Sequence, residues 1–345
     1  KNFNYCTEEN ITNGIIVVTR DKQAVVYFLT GHGESDSESP DKREGYSQAR
    51  TALTAEGYEV KSLLLVRESS VPADASVVIV NGPRQELFEG ELRAMADYLA
   101  RGGRILFLID PYTVPGLVEF LKNYNVLVGA NMVVDKESKL VAGDVFSPVV
   151  PLYRKHPITI DFEVATVFPL VSSVEVMDPP RNQNFIADPL ALTTEDSWAE
   201  TSRESIKQGA VYFQEWEDKK GPVSIAVVGE FRPAVKNADA QGEAEDKATT
   251  PPPGRMIVVG DSDFANNLYF TVLGNKDFFL NMVGWLAEAE ELISIRHKKE
   301  ETTPFSPLFL TENQKQLMFW LSTVALPLII LIIGIVVYAR RKLRG

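Results

Sequence analysis

Three short groups of residues in this 345-residue chain carry side chains that could do chemistry, and each stands where an apolar run stops. Gly31-His32-Gly33-Glu34 follows the run 23–30; His32 and Glu34 could exchange a proton or grip a polar ligand. Gly260-Asp261-Ser262-Asp263 follows the run 255–259, and its carboxylates could hold a cation or sugar hydroxyls. Asp110, before Pro111, closes the run 105–109. A plainer reading competes at each place. The first group is also a glycine-enabled turn, and Ser262 or Asp263 could simply cap a following helix.

The elements that would position these groups come from periodicity. Residues 23–30 are a continuous β-forming apolar run, as expected of a strand buried on both faces. Residues 46–56 place Ala49, Ala52 and Leu53 on one helical face, with Gly57 closing the helix. Strands are expected at 60–66, 75–80, 105–109 and 126–128, with helices at 86–100 and 114–123. This alternation predicts an α/β fold with a doubly wound, mainly parallel sheet. Ligands settle in the crevice beyond the carboxyl ends of such strands. His32, Gly33, Glu34, Asp110, Asp261, Ser262 and Asp263 are therefore the candidate ligand-binding residues.

Residues 131–254 break the rhythm with β-like runs at 166–176, 190–194 and 223–231, and read as a β-rich insertion. Within it, 233–254 reads as a flexible acidic loop. A strand at 255–259 and a helix at 278–290 return to the α/β pattern, giving an α/β domain over 23–295. Residues 1–22 read as the remnant of a further N-terminal region, and 296–314 as a polar tether.

No charged residue occurs from Gln316 to Ala339. About 20 apolar residues cross a bilayer core, and the backbone there must be helical. The expectation is a transmembrane helix at 315–339, kinked at Pro327, with Trp320 and Tyr338 at its interfaces. Arg340, Arg341, Lys342 and Arg344 make the tail 340–345 basic. By the positive-inside rule that tail is cytoplasmic and the body periplasmic, at a bacterial inner membrane.

Net charge is −12 although the tail is basic, so the body is strongly acidic and nucleic-acid binding is excluded as an expectation. Cys6 is the only cysteine, which excludes an intrachain disulfide and a thiolate cluster. There is no phosphate loop, no HExxH and no GxSxG elbow; His32, His156 and His297 are widely spaced. No catalytic residue, metal site or cofactor is assigned.

Three blocks carry a family resemblance: Phe28-Leu-Thr-Gly-His-Gly-Glu34, Arg101-Gly-Gly-Arg-Ile-Leu-Phe-Leu-Ile-Asp-Pro111 and Val258-Val-Gly-Asp-Ser-Asp-Phe-Ala-Asn-Asn267. They resemble the GldG-type auxiliary components of ABC transport systems associated with gliding motility. The resemblance implies a domain similar in fold to class I glutamine amidotransferases, shared with an intraflagellar-transport protein. It also implies two partners, an ABC permease and a separate ATPase. No cysteine stands at these positions, so amidotransferase activity is not carried over. The expected function is a non-enzymatic, membrane-anchored component of a transport system, binding a ligand such as a glycan or peptide, or a partner, outside the membrane. The alternative is a membrane-tethered hydrolase or carbohydrate-binding protein acting on envelope glycans through Glu34, Asp110 and Asp261.

Overall fold

The structure is a computed structural model that describes residues 23–231, 253–288 and 318–342. The expected N-terminal remnant, nearly all of the acidic loop, the tether and the last three residues of the tail lie outside the described residues. The chain divides into two units, residues 1–304 and 305–345.

The first unit is organised by an eight-stranded sheet. Its strands are β1 Val25–Leu29, β2 Glu59–Leu63, β3 Ala75–Asn81, β4 Arg104–Leu108, β5 Leu152–Tyr153, β6 Phe185–Leu192, β7 Ser224–Phe231 and β8 Gly254–Val259, in the order β2-β1-β3-β4-β8-β7-β6-β5. The five strands from β2 to β8 pair in parallel, and β7, β6 and β5 extend the sheet antiparallel.

Side-chain alternation explains why the parallel strands are apolar throughout. Val26, Phe28, Val77, Ile79, Leu106, Leu108, Ile257 and Val259 face one core. Val25, Tyr27, Leu29, Val78, Val80, Ile105, Phe107, Met256 and Val258 face the other. Helices α1 (Ser47–Ala55) and α4 (Asn275–Leu286) cover the first face through residues such as Leu53, Phe278 and Met282. Helices α2 (Glu89–Ala100) and α3 (Pro115–Lys122) cover the second through Met95, Leu99, Leu117 and Leu121. With both faces covered by helices, a period-two polar pattern has no place in these strands.

The middle region is woven into the same sheet, since β6 and β7 pair with each other and β7 pairs with β8. The β-like run at 166–176 is two strands, not one. Thr166–Val167 pairs with Val149–Val150, and Val174–Val176 pairs with Val126–Val128. Pro169 and Leu170, the latter at φ 57°, break the extended chain between them. A separate three-stranded sheet joins Met132–Asp135, Ser197–Glu200 and Lys219–Lys220.

In the second unit, the expected single α-helix is divided. A π-helix, Trp320–Ala325, runs into α5, Leu326–Lys342. Among the described residues no helix is long and apolar enough to cross a membrane. Pro327 is the physical reason for the division. It lacks an N–H and its ring crowds the carbonyl four residues back, so the preceding turn widens. Leu326 N–H accordingly donates to Leu321 O, five residues back. The side chains of Leu326, Leu328, Ile329, Ile330 and Ile332 are all exposed.

Candidate functional site

The parallel strands deliver polar residues to one edge. Beyond β4, Asp110 Oδ1 accepts the backbone N–H of Ser262 at 2.8 Å, tying the ends of two adjacent strands. Two glycines let the chain pass this crossing. Gly82, beyond β3, has φ +67°, and a Cβ there would lie 2.7 Å from Ser262 Oγ and 3.1 Å from Asp110 Oδ2. A Cβ on Gly260 would meet the Ser172 carbonyl at 2.1 Å.

Asp261 is 1% exposed. Its Oδ1 accepts the N–H of Asp263 at 2.7 Å, while Oδ2 is buried without a hydrogen-bond partner. It is therefore Asp261, and neither Ser262 nor Asp263, whose side chain receives a backbone N–H in the short 3-10 turn Asp263–Ala265. Sequence spacing points to the later residues because it implies a longer helix there.

Burial, then the neighbouring Asp263 and Asp110 carboxylates, push the Asp261 carboxyl well above the usual range. Burial and Asp110 push Asp263 up to about 6, against the Asn266 amide and the cations Arg84 and Arg43. Burial raises Asp110 too, opposed by the Ser262 N–H and hydroxyl. The Tyr46 hydroxyl donates to the Ser262 carbonyl. Burial, then Asp110, Asp261 and Asp263, raise that phenol well above its ordinary value. The arrangement can hold a proton among carboxyls at neutral pH and present hydrogen-bonding groups at the rim.

His32 stands at the same edge, beyond β1, but faces other partners. Its Nδ1 lies 3.1 Å from Glu34 Oε1 and its Nε2 lies 2.8 Å from Glu91 Oε2, with all three side chains buried. Glu34 Oε2 also accepts the His32 backbone N–H at 2.7 Å. Glu91, in the first turn of α2, accepts the Phe88 N–H at 2.9 Å and so caps that helix. The His32 carbonyl accepts the N–H groups of Arg84 and Gln85. Gly33, at φ +81°, packs against Arg84.

The candidate residues thus form two groups on one rim. Asp110, Asp261, Ser262 and Asp263 converge; His32, Gly33 and Glu34 adjoin them through the loop at Arg84. Sequence reasoning missed four participants: Tyr46, Glu91, Asn266 and Asn267. Asn267 accepts the Gln48 N–H at 2.9 Å and donates to the carbonyls of Ser39 and Asp41 at 3.0 and 2.6 Å. Asn266 donates to Arg43 O at 2.9 Å. Together they fasten the 36–46 loop across the rim. The Phe88-to-Glu91 spacing and the Asn-Asn pair after Gly-Asp-Ser-Asp were the available signals. Among the described residues, no group of three or more His, Cys, Asp or Glu is arranged to hold a metal ion.

Comparison with known proteins follows this geometry. A family model described as "ABC-type uncharacterized transport system" matches residues 23–282, which include every candidate residue above. No curated protein matches the chain. Among solved structures, the mmIFT52 N-terminal domain is similar at TM-score 0.51 and 15% identity, covering 76% of this chain and 97% of its own. That likeness supports a shared fold alone. A thua-like protein from Bacteroides uniformis aligns at TM-score 0.42 and 14% identity, over 78% of this chain and 94% of its own. A GMP synthase protein from Thermoplasma acidophilum aligns at TM-score 0.37 and 11% identity, over 80% and 100%.

Proposed function

This chain belongs to the family of auxiliary components of ABC-type transport systems, and we propose that it serves there as a non-enzymatic, membrane-anchored component of the GldG type, associated with gliding motility. In this reading the α/β unit stands outside a bacterial inner membrane and engages a ligand or partner at the rim of Asp110, Asp261 and Asp263. A permease and a separate ATPase complete the system.

The observation that carries the non-enzymatic reading is the engagement of the candidate side chains. Asp110 holds the Ser262 N–H, Asp261 holds the 3-10 turn, and Glu91 caps α2 while facing His32. Side chains committed to backbone groups position loops rather than move protons on a substrate. The exposed partners at the rim, Arg84 and Arg43, leave it able to meet a polar surface.

Membrane anchoring rests on residues 318–342. Their helical backbone is continuous through the π-helix into α5, and at 1.5 Å per residue its 25 residues run roughly 37 Å. A π turn of this kind is compatible with a span because its carbonyls still find N–H partners within the segment. The basic residues after Tyr338 support a cytoplasmic C-terminus.

A photo-crosslinking residue placed at Arg84, on the rim, tests the reading against one at Arg101, beyond the end of α2 on the opposite edge. Crosslinks to another envelope or transport protein from the first position and not the second are expected. Equal yields from both would remove the rim from the account.

One observation favours the second reading, an enzyme acting on envelope glycans. A carboxyl raised to about 6, as Asp263 is, is the kind of group that serves as a general acid. Turnover of isolated envelope glycans by the purified protein, lost in Asp263→Asn, would establish it.

A further inference from the structure

A groove of about 360 Å³ opens on the three-stranded sheet rather than at the strand ends. Its floor comes from sheet register. Trp198 pairs with Val134 on one side and Lys220 on the other, which puts the indole and the Lys220 side chain on one face. The Phe213 ring stands nearly perpendicular to the indole, with centroids 6.5 Å apart and an interplanar angle of 70°. The two rings make a corner. The indole is held in place: its Nε1–H donates to Glu200 Oε2 at 3.2 Å, and Glu200, fully buried, also accepts the Ser202 N–H at 3.0 Å.

Something already occupies that corner. The Lys136 ammonium lies 5.1 Å from the Trp198 ring centroid, within the range of cation–π attraction. Lys136 is exposed, so water can take over its ammonium at little cost. The rest of the lining includes Glu137, Glu195 and Asp196, three carboxylates around the aromatic corner. Aromatic faces bordered by carboxylates favour a cation over a neutral or anionic group. The volume is at the small end of the range for ligand sites, enough for one side chain and its flanking backbone.

We propose that the groove at Trp198 and Phe213 binds the alkylammonium group of a lysine carried by a partner protein, with Lys136 as the intramolecular stand-in that the incoming lysine displaces. The ammonium would sit over the indole face, and the carboxylates of Glu195 and Asp196 would supply the charge complement. This site is separate from the strand-end rim and does not depend on the function proposed for it.

The test uses the full chain in detergent, ¹⁵N-labelled, with Nα-acetyl-lysine-N-methylamide as probe and the norleucine analogue, which lacks only the ammonium, as control. The Trp198 indole N–H resonance, assigned by its loss in Trp198→Phe, reports occupancy. The lysine probe is expected to shift it and the norleucine analogue to leave it in place. Lys136→Met is expected to tighten probe binding about three- to fivefold, because cation–π contacts at exposed sites are worth roughly 0.5–1 kcal/mol. Glu195→Gln with Asp196→Asn, both exposed positions that need not disturb folding, is expected to weaken it by a similar factor. Equal binding of the norleucine analogue, no shift with the lysine probe in Lys136→Met, or weaker binding in that variant would each overturn the proposal.

Discussion

The Asp110 carboxylate and the Ser262 backbone N–H meet at 2.8 Å although 152 positions separate them in the chain. β4 and β8 are neighbours in the sheet, and this bond joins the loops that leave them. The rim exists as one surface because of it. Asp110→Ala leaves the Ser262 N–H without its acceptor and is expected to cost about 1–3 kcal/mol. Asp110→Asn keeps an acceptor oxygen and is expected to lose far less. Chemical denaturation of the two variants beside the parent measures the difference; equal loss in both would assign the effect to charge.

Asp263 should make stability depend on pH in a definite direction. Its folded pKa of about 6 lies above the 3.8 of a free side chain. The folded state therefore holds the proton more tightly than the unfolded chain between those values. The favourable contribution is complete below about pH 4 and is lost as pH rises through 6. Burial and the Asp110 carboxylate are the causes, and both weigh on the charged form. Asp263→Asn is expected to match the parent at pH 4 and to exceed it by about 1–2 kcal/mol at pH 7.5. Melting curves across that range check it, and a gap that is widest at low pH would reverse the sign.

The Asn267 side chain bridges Gln48, Ser39 and Asp41. Asn267→Ala removes those bonds and is expected to cost about 2 kcal/mol, with faster hydrogen exchange concentrated in residues 36–48. Hydrogen-exchange mass spectrometry resolves the location. Uniform acceleration over the α/β unit would show general destabilisation instead.

His32 separates two buried carboxylates, those of Glu34 and Glu91. Its replacement by Leu leaves them without that donor, and a loss of about 3–5 kcal/mol is expected. His32→Leu combined with Glu91→Leu should recover part of it, since removing both members of a buried polar contact costs less than removing one. A double-mutant cycle by denaturation gives the coupling directly.

How much of this was readable from residues alone follows from the physics of each part. The apolar runs at β1, β3, β4 and β8 were legible because strands covered on both faces admit few polar residues. The helices between them were legible from their 3.6-residue spacing. The edge where His32, Asp110 and Asp261 would sit was legible because parallel strands fix which end carries the loops. Their partners were not. The Asp110–Ser262 and Asn267–Asp41 bonds cross between distant segments, and nothing local in sequence encodes them. The split of 166–176 into two strands of different sheets was hidden for the same reason, although Pro169 marked the break. The π-helix before Pro327 is a local event, yet hydropathy registers only the apolar length and cannot register the turn.

The central claim is membership in a working transport assembly. The full chain, tagged at its N-terminus and purified under mild detergent from its native membranes, should carry a permease and an ATPase with it in near-fixed ratio. Those two proteins should be depleted from the membrane extract in proportion. Quantitative mass spectrometry reads both numbers. Recovery of the chain alone, or with partners that include neither of them, would contradict the account.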